Sequence, residues 1–138
     1  MVDAKKYVEQ ISKNRLLIAN KMQERSYWLD MAAGISPKMG GERVQSSGSK
    51  QTMESQVVEA VRIDEEIAKM KAEIKSIIRT MEKLKADEYD VLFKRYVLNR
   101  TWREIAEVHG CSVSWVYSIH KEALKDLQKL LDEEKSQG

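Results

Sequence analysis

From Ile63 onward, Ile67, Met70, Ile74, Ile77, Met81 and Leu84 follow at steps of four, three, four, three, four and three. An α-helix turns once every ~3.6 residues, so this spacing draws a narrow apolar stripe along one helix. Val57 and Ala60 extend the stripe backwards with one irregular step. Lys69, Lys71, Glu73, Lys75, Arg79, Glu82 and Lys83 flank it, as in a coiled coil. A helix of ~32 residues is ~48 Å long, and so narrow a stripe must be buried against another helix. Within the chain the nearest candidate is residues 4–33, where Tyr7, Ile11, Ile18, Met22 and Leu29 step by four, seven, four and seven, with Asn14 and Arg25 at the skipped positions. Tyr27 and Trp28 are expected to cover such a hairpin near its end. A second copy of the chain is the other candidate, and both can apply at once. At ~25 cal/mol per Å² of apolar area, a two-helix hairpin buries little, which favours a homo-oligomer through these N-terminal helices.

Charged residues make up 33% of the chain and aromatic residues 7%, with one proline, a composition suited to long solvated helices rather than strands. The expected class is all-α. Residues 1–86 read as an antiparallel helical hairpin or coiled coil, and residues 87–138 as a separate module. Between the two N-terminal helices, about 34–51, Gly34, Pro37, Gly40, Gly41 and Gly48 interrupt all periodicity and predict a loop. A partner-binding role for Arg43 to Ser49 stays open there. The net charge of +2 is too small to announce nucleic-acid binding. Between Lys94 and Lys121, however, Lys94, Arg95, Arg100, Arg103 and Lys121 face only Glu104 and Glu107. Cys111 is the single cysteine, so no internal disulfide is expected. The N-terminus lacks an apolar signal core, and no apolar run approaches the ~20 residues of a membrane span. A soluble cytoplasmic protein, with no membrane partner, is the expectation.

The C-terminal module is denser in signals. Asp87 reads as the N-cap of a helix over 88–97 that buries Val91, Leu92 and Tyr96. Asn99-Arg100 makes a turn. Thr101-Trp102-Arg103-Glu104 is a capping box, opening a second helix with Ile105, Ala106 and Val108. Gly110 supplies the left-handed turn, and Ser112 caps a third helix with apolar Val116, Ile119, Ala123, Leu127 and Leu130. Two helices crossing steeply need a small residue at closest approach (Ala106), a glycine in the turn (Gly110), and branched residues filling the angle (Ile105, Val116, Ile119). The pattern predicts a helix-turn-helix over 87–131.

Lys94-Arg95-Tyr96, Thr101 to Glu107, Gly110 to Ser114 and Ala123 to Leu127 resemble region 4 of bacterial sigma factors, over about 45 residues of the chain. The whole layout, with Gly41 to Gly48, also resembles small phage or prophage late-gene activators of the ArpU/RinA type. The resemblance implies that the helix beginning at Ser112 enters the major groove of double-stranded DNA, with Val113, Ser114, Tyr117, Ser118 and Lys121 meeting bases and Arg100 and Arg103 meeting phosphates. The same residues lie opposite Val116, Ile119 and Ala123 on a helical wheel. Val113, Ser114 and Ser118 stand where sigma factors usually carry longer polar side chains, so a standard −35 element is not implied. A counterpart of the domain that melts the −10 region is missing too. A sequence-specific transcriptional activator, or a partial sigma mimic touching RNA polymerase, fits better than a complete sigma factor. A viral DNA-packaging component of the small-terminase kind and an RNA polymerase-binding adaptor are the competing readings.

His109, Cys111 and His120 match no zinc spacing, so no metal or cofactor is expected. Cys111 reads as core, His109 as a helix-end residue, and His120 as facing DNA or solvent. Trp102 reads as packed on the preceding helix, while Trp115 lies beside the recognition face, undecided between bases and a partner surface. No paired carboxylates, phosphate loop or activated nucleophile stands out, and an enzyme is not expected.

Overall fold

The computed structural model describes residues 2–34 and 49–137, and every regular element among them is helical. In chain order these are α1 (Ala4–Ala32), α2 (Ser49–Met81), α3 (Ala86–Leu92), which runs on into a π-helical turn (Phe93–Val97), α4 (Trp102–His109) and α5 (Val113–Gln137). Most of the expected loop at 34–51, including Pro37 and Arg43 to Gly48, lies outside the described residues. Gly34, at φ 83°, ends α1, and its N–H donates to the Met31 carbonyl. The chain forms two compact units: residues 15–71, and residues 1–14 together with 72–138.

In the unit of residues 15–71, α1 and α2 run antiparallel. Lys21 Nζ meets Glu66 at 3.1 Å and Arg25 Nε meets Asp64 at 2.6 Å, so rising numbers on one helix meet falling numbers on the other. Ala60, Ile63 and Ile67 are buried. Met22, expected in the seam, is exposed, as is Val57. The side of α1 that meets α2 includes Lys21 and Arg25, and Met22, 100° round from Lys21, turns outward. These half-exposed ion pairs specify register more than they stabilise, since such pairs are worth ~0–1 kcal/mol.

The other unit is built around the short helices. Its main core joins Ala4, Val8 and Ile11 of α1, Ile77 and Met81 of α2, Leu92, Tyr96, and Ala123, Leu127 and Leu131 of α5. The expected α1 stripe starts at Tyr7, but the deeper positions are Ala4 and Val8, with Tyr7 half-buried and donating its hydroxyl to Thr80 Oγ1 at 3.0 Å. Gln128 of α5 holds the start of the chain. Its Oε1 accepts from the Ala4 N–H at 2.8 Å while its Nε2 donates to the Val2 carbonyl at 2.7 Å. One of the orphan amides at the head of α1 is thereby satisfied from the far end of the sequence.

The start of α3 differs from expectation. Lys85, not Asp87, is the N-cap, and the Lys85 N–H donates to Glu88 Oε1 while Asp87 sits in the first turn. Glu88 is itself buried; desolvation, followed by the neighbouring Asp126 carboxylate, pushes its carboxyl up to about 7. No helix among the described residues is long and apolar enough to cross a membrane.

Candidate nucleic-acid interface

Every turn around α4 and α5 is closed by a specific bond. In the π-helical turn the Leu98 N–H reaches the Phe93 carbonyl at 3.0 Å, five residues back. Asn99 then takes φ 57°, a left-handed conformation asparagine tolerates better than most residues. The Arg100 N–H donates to the Lys94 carbonyl at 2.9 Å, and Arg95 Nη1 donates to the Arg100 carbonyl at 3.0 Å. The Thr101 capping box forms as expected: Glu104 N–H donates to Thr101 Oγ1 at 3.1 Å, and Thr101 N–H donates to Glu104 Oε1 at 2.8 Å. That backbone bond holds the Glu104 carboxyl below its ordinary range.

Gly110 closes α4 at φ 63°, ψ 35°, and the Cys111 N–H returns to the Ala106 carbonyl at 3.0 Å. A Cβ at Gly110 would meet open space, so its requirement is for backbone angle, not room. Ser112 caps α5, its Oγ accepting from the Trp115 N–H at 3.1 Å. Behind the turn, Val91, Ile105, Ala106 and Val116 form a second buried cluster, with Trp102, Cys111, Val113 and Ile119 packed against it.

This framework sets the outer face of α5. Ser112, Ser114, Ser118 and Lys121 are exposed, Tyr117 is half exposed, and Arg100 and Arg103 are exposed at the approach to α4. Val113 is drawn part-way into the second cluster, which leaves only part of its side chain to the surface. The exposed hydroxyls and the ammonium offer donors and acceptors without a single carboxylate among them.

An aromatic stack lies on one flank. The Arg95 guanidinium sits 4.3 Å from the Trp102 ring centroid, and Trp102 contacts Tyr117 at 5.1 Å and His120 edge-on at 4.7 Å. His120, expected to face DNA or solvent, instead stacks on Tyr96 and joins its hydroxyl through Nε2 at 2.8 Å. Burial, then Arg95 and Lys5, holds its imidazole down to about 4, while burial pushes the Tyr96 phenol up to about 12. A neutral imidazole under that stack has no cationic role. On the opposite flank, Trp115 is 38% exposed, its ring 5.6 Å from His109. His109 Nε2 is 2.5 Å from Asp90 Oδ2, and Asp90 also holds Lys94. Sequence reasoning missed Arg95 as part of the site, because its place over the Trp102 ring depends on the π-helical turn that carries it. Among the described residues no group of three or more His, Cys, Asp or Glu could hold a metal ion.

Residues 80–129 match sigma-70, region 4, a span that begins in the last turn of α2 and ends within α5. The module is therefore a DNA-binding helix-turn-helix of the sigma region 4 type. No curated protein and no solved structure matches the chain.

Proposed function

We propose that this protein is a sequence-specific regulator of transcription that binds double-stranded DNA through α5, in the manner of phage or prophage late-gene activators. The observation that carries the reading is the exposed Ser114–Ser118–Lys121 face, projecting from a helix whose opposite side, Val116, Ala123 and Leu127, is fully buried. Ser112, Val113, Ser114, Tyr117, Ser118 and Lys121 are assigned to the major groove, and Arg100 and Arg103 to phosphates. DNA recognition falls within residues 87–138. Residues 1–86 serve assembly, with copies of the chain joining through the N-terminal coiled coil.

Fluorescence anisotropy against genomic duplexes at graded salt tests this. Lys121→Ala should weaken binding and lower the salt slope by about one counterion-release unit, roughly 0.9 in log–log terms. Tyr117→Ala should change the ranking of sites. Equal binding of all duplexes by parent and both variants would sink the proposal. The match to sigma-70, region 4 supports one further reading, contact with RNA polymerase. Capture of polymerase by a protein that shifts no duplex at low salt would favour an adaptor instead.

A further inference from the structure

Resting on the reading of α5 as the groove-bound helix, we infer that Trp115 is a base-reading residue that packs its ring on the C5-methyl of thymine. Three observations lead there. Trp115 lies in the first turn of α5, where groove-bound helices of this kind meet base edges. It precedes Ser118 by three residues, about 60° round the helix, and so shares the ridge beside the exposed hydroxyls. It belongs to neither buried cluster, yet it is held.

The holding is what separates Trp115 from a stray surface aromatic. Its backbone N–H is fixed by Ser112 Oγ, and its ring rests on His109. His109 is tied to Asp90 of α3, which also binds Lys94. Side chains from α3, α4 and α5 thus brace one exposed apolar surface that the core does not use. An indole offers one N–H donor and no acceptor, and its body is an apolar ring that packs on apolar groups. In the major groove the only such group is the thymine methyl. Tyr117, braced by Trp102 across the helix, presents a second aromatic edge, so the short serines lie between two apolar walls. Such a face reads methyl positions where longer side chains would read hydrogen-bonding edges. His109 is a positioning residue in this scheme.

The test takes a tight duplex site selected from a random pool by the full-length protein and replaces each thymine in turn with deoxyuridine, which removes only the methyl. The parent should lose roughly three- to fivefold at one or two thymines, the worth of one buried methyl. Trp115→Ala should bind the unmodified site correspondingly less well and show no loss at those positions, with its salt slope unchanged because no charge is removed. Trp115→Phe should keep part of the discrimination, and His109→Ala should blunt it. Retention of every methyl effect in Trp115→Ala overturns the inference, as does the absence of any methyl-sensitive thymine in a site the parent binds specifically. Loss of polymerase capture in Trp115→Ala with methyl reading intact overturns it too, and moves Trp115 to a protein surface. Failure of the parent to bind any duplex overturns the DNA reading itself, an outcome distinct from binding without methyl sensitivity.

Discussion

The unit of residues 15–71 and the helix-turn-helix unit use the same building element and treat their apolar side chains differently. In the first, Ala60, Ile63 and Ile67 are the buried residues among those described, while Leu16, Leu17, Met22, Tyr27, Met53, Val57, Val58 and Val61 are exposed. In the second, two clusters enclose their members almost completely, and among the described residues the exposed large apolar side chains are few: Val2, Leu98, Val108, Trp115 and Tyr117. A pair of long helices can cover one stripe each and no more. Short helices folded at steep angles enclose a core from several sides. Surface left open in the hairpin is consistent with the proposed assembly through the N-terminal helices.

Core truncation gives the largest expected contrast. Leu127→Ala, in a site enclosed by α1, α2, α3 and α5, should cost about 3–5 kcal/mol, because close-packed neighbours cannot collapse into the void. Ile63→Ala, equally buried but on a two-helix seam, should fall near ~2 kcal/mol. Urea titration followed by circular dichroism measures both, and a larger loss for Ile63→Ala would break the comparison.

Turn chemistry comes next. Gly110→Ala forces a Cβ into a left-handed backbone and should cost about 1–2 kcal/mol, although space is open around it. Thr101→Ala removes a cap worth about 1 kcal/mol. In the hairpin, Asp64→Ala should cost under ~1 kcal/mol, as an exposed ion pair would.

The effects that sharpen the picture most concern pH, where two opposed slopes leave little net change in the parent and each single variant unmasks one of them. Glu88 titrates near 7 when folded, against 4.5 ordinarily, so its contribution is fully present below 4.5 and is lost as pH rises towards 7. His120 titrates near 4 when folded, against 6.5 ordinarily, so stability falls as pH drops from 6.5 towards 4. The two slopes oppose each other over the same range. Glu88→Gln should therefore unmask a loss of stability on acidification, and His120→Gln a loss on going towards neutral pH. Parallel melting curves at pH 4.5, 5.5 and 7 read the slopes, and unchanged slopes in both variants would refute the assignment.

Local chemistry makes much of this molecule legible in its sequence. The Thr101–Glu104 box, the Gly110 turn and the Ser112 cap each lie within a few residues, and the structure forms them where spacing predicts; the longer stripe repeats every three or four residues and is buried at Ile63, Ile67, Ile77 and Met81. Contacts between distant segments carry no such signature. Nothing near Ala4 announces that Gln128 will satisfy its amide, and nothing near His120 announces Tyr96. The π-helical turn leaves no local mark either, yet it decides where Arg95 meets Trp102. The polar character of the α5 face is readable from periodicity alone. The aromatic braces on its flanks depend on which rings the fold brings together.

The most direct test is a residue-resolved map of amide chemical shifts as duplex DNA is added to the full-length protein at low salt. The account predicts the largest changes at Ser112 to Lys121, with Arg100 and Arg103 following. Changes confined to α1 and α2, with α5 silent under saturating duplex, would contradict it.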